Sequence, residues 1–205
     1  GTIMSPMSTT EAALRFVIVT GMSGAGRRTA CHTLEDLGWY VVDNLPPQLL
    51  PDLAQIAREK DFARVAVGLD VRTRSAFQQI PAAFDALGRA GVVPQILFLD
   101  ADDDAIIRRQ ESVRRPLPLQ GEGRLLDAAE RERRLLATLR ASADIVIDTS
   151  NLNVHQLSDR VAHVLGSHDD PEIQFTVMSS RSTHGAPPAS DMGVDARRLP
   201  PPPGL

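Results

Sequence analysis

A chain of 205 residues, 42 % hydrophobic and 23 % charged, can bury a sizeable core and reads as one α/β domain with tails. Its formal net charge of −4 argues against a wholly basic nucleic-acid binder, and 4 % aromatic content is too little for the stacking platforms that read single-stranded RNA. Cys31 is the only cysteine, which excludes an intrachain disulfide and a cysteine-built zinc cluster and fits a reducing, cytoplasmic setting.

Residues 1–14, GTIMSPMSTTEAAL, lack the basic start and apolar run of a secretory signal and are read as a disordered lead-in. Nowhere does an apolar run approach the roughly 20 residues of a membrane span, so no membrane contact is expected. Phe16–Thr20 (FVIVT) has the Val/Ile content of a buried strand. Gly21, Gly24 and Gly26 follow, and a helical pattern opens at once, with Ala30, Leu34 and Leu37 on the face that would meet a sheet.

Strand, glycine loop and helix in that order are the layout of a phosphate-binding loop, G-x-x-x-x-G-K-[ST]. The glycines let the backbone bend until several N–H groups share one concavity, and the new helix adds the positive end of its dipole there. The spacing Gly21-x4-Gly26 is intact, but Arg27 and Arg28 stand where the motif has Lys and Ser/Thr. A guanidinium at position 27 can bind phosphate, although it is longer and planar. Arg28 cannot ligate a metal and brings positive charge to the metal's position. Thr29 lies about 100° further round the helix and cannot simply take over. The plainer reading of both arginines is a solvated helix start, yet two cations there oppose the dipole unless an anion is bound.

Gly38 is placed to end this helix in a left-handed turn. Trp39–Val42 reads as a second strand, closing on Asp43, Asn44 and the turn at Pro46-Pro47. Residues 47–60 read as a helix with Leu49, Leu50, Leu53, Ile56 and Ala57 on one face. Arg64–Val71 is a third strand with Asp70 at its end, and a helical pattern over 75–90 is interrupted or delayed by Pro81. Gln95–Asp100 is almost continuously apolar, as a central strand of a parallel sheet requires. A helix from Asp102 to Arg114 leads into the loop at 116–123. A charged helix (124–141), a fifth strand (144–148) and a helix at 153–165 complete the run. From Gly166 onward the chain is rich in Pro, Gly and Ser, with one short strand expected at Glu172–Met178.

Strands alternating with helices at these lengths predict an α/β fold, a P-loop NTPase-type doubly wound parallel sheet of about five strands with helices on both faces. Residues 15–166 are read as the domain and 167–205 as a short strand plus tail. Ligands of such sheets sit beyond the carboxyl ends of the strands, an edge that would gather Thr20, Gly21, Asp43, Asp70, Asp100 and Asp148. Asp70 resembles the acid that holds magnesium through water, with capping of the following turn as the other reading. Asp100 and Asp102 compete for that acidic role, and Asp102 better suits a helix N-cap. Arg72 offers a phosphate or base contact. Arg108, Arg109, Arg114 and Arg115 cluster where a mobile lid would bring arginines over a γ-phosphate. The alternative is a solvated charged face paired with Asp103, Glu111 and Glu122. His32, His155 and His163 fall in no ligand spacing, and Cys31 reads as a small packing residue.

The stretches VTGMSGAGRRTA, LEDLGWYVVDNLPPQLLPDL, DVR at 70–72, QILFLDAD, IRRQESVRRPLPL, LRASADIVIDTS and, more weakly, HGAPPASDMGVDARRLP carry a resemblance. Over residues 16–200 the chain resembles the bacterial RapZ (YvcJ-type) family of P-loop nucleotide-binding proteins, the RNase adapter proteins. The resemblance implies ATP and GTP binding with slow hydrolysis. It also implies an adaptor role, in which a small regulatory RNA of amino-sugar synthesis is presented to an endoribonuclease. Carried over by position, ATP binding falls on Gly21, Met22, Ser23, Gly24, Ala25, Gly26, Arg27, Arg28 and Thr29, and GTP binding on Asp70, Val71, Arg72 and Thr73. Arg27 and Asp70 are the candidate catalytic residues.

The chain departs from the family in three places. Arg27 replaces Lys, as in some members, while Arg28 removes the hydroxyl and with it the expected magnesium ligand. Leu117 stands where the family's RRxHPL has His. SSRST before His184 replaces the aromatic-rich opening of the family's C-terminal half, so 167–205 reads as a remnant of that domain's start. RNA binding is therefore not expected here, and a protein partner or homo-oligomer stays open. Three functions fit: a regulatory ATP/GTP-binding module with weak hydrolysis, a small-molecule or nucleotide kinase of P-loop fold, and a non-hydrolysing nucleotide-binding scaffold.

Overall fold

β1 (Arg15–Gly21) is the middle strand of a five-stranded parallel sheet. Its residues Phe16, Val17, Ile18 and Val19 are at most 1 % exposed, which a strand achieves only when helices cover both faces. The computed structural model describes residues 14–69, 71, 73–113 and 122–166. In it β3 (Arg64–Leu69) and β4 (Gln95–Asp100) flank β1, and β2 (Tyr40–Leu45) and β5 (Ile145–Asp148) form the edges, giving the order β2-β3-β1-β4-β5. Asp70, Arg72, Arg114, Arg115, Leu117, the segment 1–13 and the strand expected at 172–178 lie outside the described residues.

The helices are α1 (Arg27–Asp36), α2 (Leu50–Glu59), α3 (Arg74–Gln78), α4 (Ile80–Arg89), α5 (Asp103–Val113), α6 (Glu122–Ala141) and α7 (Val154–Leu165). Right-handed crossovers sort them by the direction in which each carries the chain. α1 leads from the centre out to β2 and packs on α7, whereas α2 packs on α4 and α5 on α6. The direction of travel reverses between β1 and β3, and the crevice beyond the carboxyl ends of those two strands is the switch point where ligands of this architecture bind.

Several boundaries differ from the sequence reading, each for a local reason. β2 does not close at Val42 but runs to Leu45, with a register shift against β3 between Val42 and Leu45. Asn44 sits there at φ 59, a left-handed conformation that Asn tolerates better than most residues. The helix expected over 47–60 opens as a 3₁₀ turn (Pro47–Leu49), because Pro51 has no N–H to donate and must stand in the first turn of α2. Pro81 likewise opens α4 and splits the 75–90 pattern into α3 and α4. Gly38, at φ 90, ends α1 in the left-handed turn its position suggested. Asp102 caps α5, accepting the Ala105 N–H at 2.8 Å.

Candidate functional site

At the end of β1 the chain must turn sharply against β4. Met22 N–H donates to Leu99 O at 3.0 Å, and a Cβ on Gly21 would lie 2.1 Å from the same oxygen, so only glycine permits the approach. Met22 and Ala25 face inward and are 2 % and 0 % exposed, which pins the loop from beneath. Gly24 and Gly26 have φ 83 and 108. Gly26 is the N-cap of α1 and offers no side-chain acceptor, and no acidic residue stands in the first turn. The opening amides of α1 are thus left without the side-chain partner that helix starts ordinarily recruit.

These elements open a cavity of about 470 Å³. Every residue from Gly21 to Thr29 except Ala25 lines it, together with Val71, Arg109, Gln110 and Glu132. Ala25 is buried beneath the loop, and its carbonyl accepts the Thr149 hydroxyl at 2.7 Å. Of the second motif, Val71 lines the cavity and is buried. Thr73 instead caps α3, its hydroxyl accepting the Ala76 N–H at 3.0 Å.

The two arginines of the loop take different paths. Arg27 reaches the ends of β2 and β3, where Nη2 donates to Asn44 Oδ1 at 2.5 Å and Nη1 to Leu69 O at 3.2 Å, and Nε pairs with Asp43 Oδ1 at 3.1 Å. The irregularity in β2 matters here, because a bulge re-aims side chains and both Asp43 and Asn44 meet Arg27. Gly68 on β3 makes room for that carboxylate, since a Cβ there would stand 1.9 Å from Asp43 Oδ1. Arg28 lines the cavity and is exposed.

Arg109 does not pair with Asp103 or Glu111 on a solvated face. It donates to Gly24 O at 3.0 Å and Thr149 Oγ1 at 3.1 Å through Nη1, and to Thr149 O and, at 3.4 Å, Leu152 O through Nη2. Partial burial and the neighbouring Arg108 charge lower its pKa from the usual arginine value. The result is a strut between the glycine loop and the turn after β5. Arg108 is exposed.

The acids at the sheet edge are engaged elsewhere. Asp100 binds Arg133 at 3.0 Å and Arg140 at 2.8 Å, both from α6, and accepts the Ala101 N–H at 2.9 Å. Asp148 accepts the N–H and hydroxyl of Ser150 at 2.9 and 2.6 Å. Glu132 is the residue that sequence reasoning missed. Its Oε1 accepts the Ser23 N–H at 2.7 Å and its Oε2 the Ser23 hydroxyl at 2.6 Å. Nothing in the run DAAERERR marked that glutamate out from its charged neighbours.

Asp70, the acid read as a magnesium ligand through water, lies outside the described residues. Among the described residues no three His, Cys, Asp or Glu side chains are grouped to hold a metal, and both Glu132 oxygens are engaged by Ser23. Likewise, no helix among the described residues is long and apolar enough to cross a membrane.

Comparison with known proteins bears on the family. A nucleotide-binding protein of Cutibacterium acnes is 50 % identical over 199 residues, covering 97 % of this chain and 68 % of the relative. One from Streptomyces coelicolor is 50 % identical over 195 residues, covering 94 % and 65 %. The chain thus spans about two thirds of the length of these relatives. Among solved structures, a tunicamycin resistance protein from Deinococcus radiodurans aligns with a TM-score of 0.50 at 16 % identity, covering 73 % of this chain and 94 % of that one. That likeness speaks for the fold alone. The RapZ-like N-terminal domain profile matches residues 14–169, and the chain, with its glycine loop at the switch point of a parallel sheet, belongs to the RapZ-like N-terminal domain family.

Proposed function

We propose that this protein is a regulatory nucleotide-binding module whose glycine loop holds the phosphates of ATP or GTP and which hydrolyses them slowly at most. One observation carries the reading. The loop leaves the opening amides of α1 without a side-chain cap, at the floor of a cavity of about 470 Å³ at the switch point. Such amides and the helix dipole favour an anion. The names of the relatives, nucleotide-binding proteins, support the same ligand class.

Arg28 shapes the second half of the proposal. It supplies fixed positive charge where a magnesium ligand would otherwise stand, so phosphate binding is expected to proceed without metal and turnover to be weak. The proposal extends to an adaptor-like role in signalling, or in RNA and amino-sugar regulation, which membership of the RapZ-like N-terminal domain family supports without establishing.

Titration calorimetry of ATP and GTP against the 205-residue chain, with magnesium and with chelator, tests the reading. Binding of similar strength in both buffers is expected, followed by slow phosphate release. No binding in either buffer overturns it. Arg28→Ser extends the test: it should raise magnesium-dependent hydrolysis, and no gain would count against the missing hydroxyl as the cause of weak turnover.

A further inference from the structure

We propose that the Glu132 carboxylate is an internal occupant of the glycine loop, which a nucleotide phosphate must displace before it can bind. The proposal rests on the reading of this loop as a phosphate site.

The contact has the form of an anion bound to the loop. Both carboxylate oxygens are used, one taking the Ser23 N–H at 2.7 Å and the other the Ser23 hydroxyl at 2.6 Å. Ser23 lies between Gly21 and Gly24 and lines the cavity with Glu132. A backbone amide has a single hydrogen to give, so this donor serves the carboxylate or a phosphate oxygen, not both. Among the described residues that line the cavity, Glu132 is the one carboxylate, and its neighbours there include the cations Arg27, Arg28 and Arg109. Its charge therefore opposes an incoming phosphate as well as competing with it.

Glu132 is also delivered to this position by a fixed support. The next residue, Arg133, binds Asp100 Oδ1 at 3.0 Å, Ala101 O at 2.8 Å and Asp103 Oδ1 at 2.9 Å. Arg140, two turns along α6, binds Asp100 Oδ2 at 2.8 Å. These contacts tie the helix to the end of β4 and leave the Glu132 side chain to swing by its own torsions. Release of the loop needs a rotamer change and not a movement of α6.

Charge-assisted hydrogen bonds of this kind are the strong ones, and apparent affinity falls by the fraction of molecules in which the site is open. A closed state favoured roughly tenfold would weaken nucleotide binding by roughly tenfold. Calorimetric titration of ATP in chelator against the full chain, its Glu132→Ala and Glu132→Gln variants and a Glu130→Ala control provides the test. Glu130 is exposed on the same helix. Glu132→Ala should tighten binding by roughly three- to tenfold and Glu132→Gln should move it the same way by less, while Glu130→Ala should stay within about twofold. Unchanged or weaker binding by both Glu132 variants, with normal binding by the unmutated chain, overturns this proposal and leaves the nucleotide site standing. Equal tightening by Glu130→Ala overturns it too, because bulk charge would then explain the effect. Absence of ATP binding in every variant and in the unmutated chain overturns both readings. Should the alanine variant not fold, the glutamine variant decides alone.

Discussion

Arg27 and Asp43 form an ion pair at 3.1 Å, so the cation at the lysine position of the glycine loop serves the end of β2. Both side chains keep about a quarter of their surface in solvent, 26 % and 29 %, which limits what the pair contributes. Arg27→Ala, which also removes the bonds to Asn44 and Leu69, is expected to lower stability by about 1 kcal/mol. The midpoint of urea unfolding reads this. An unchanged midpoint with lost ATP binding would mean that Arg27 holds phosphate and not the sheet edge.

The loop glycines should respond unequally to alanine. At Gly24 a Cβ meets nothing within 4 Å, so only the φ of 83 is strained, and Gly24→Ala should cost about 1 kcal/mol. At Gly21 the Cβ collides with the Leu99 backbone, which cannot yield without parting β1 from β4. Gly21→Ala should cost about 3 kcal/mol or more. Thermal melts of the two variants side by side would show similar losses only if the loop were free to rearrange.

Arg109 and Thr149 should act as one unit. Arg109→Lys keeps the charge but cannot fork to Gly24 O and Thr149 O from one planar group. It is expected to lose about 1–2 kcal/mol and to weaken ATP binding through a looser loop. Thr149→Val, which removes the hydroxyl that holds Ala25 O, should do the same, and the double variant should fall short of the sum. Strict additivity in a double-mutant cycle would separate the two residues.

Cys31 is buried at 3 % exposure, and burial, with the Asp43 charge second, pushes its thiol up from 9.0 to about 12. The thiolate is the reactive form, so labelling by a thiol reagent at neutral pH should be slow in the folded protein and fast in urea. The stability sign follows. A raised folded pKa gives a contribution that is complete below pH 9 and is lost as pH rises toward 12, because the unfolded thiol ionises first. Cys31→Ala should flatten that alkaline loss, and a variant that melts with the parent's pH profile would refute it.

Much of this protein was legible from local pattern. The strand FVIVT, the spacing of Gly21 and Gly26 and the helical face of Ala30 and Leu34 require only neighbouring residues for their meaning, and each was found as read. The caps were legible for the same reason, since Asp102 and Gly38 act on backbone a few residues away. The partners of the charged side chains were not. Arg27 meets Asn44 across 17 positions, Arg109 meets Gly24 across 85, and Ser23 meets Glu132 across 109. Periodicity records which face of a helix is apolar but not which of several adjacent charges on α6 will find an acceptor.

The sequence by itself determined that a glycine loop joins a buried strand to a helix, because close backbone approach and left-handed turns restrict the residue type at each step. Only the tertiary structure decided what the loop's polar groups hold. Sheet order carried the end of β2 to Arg27, the turn after β5 to Arg109 and one turn of α6 to Ser23, and those pairings depend on distances in space that no local spacing encodes.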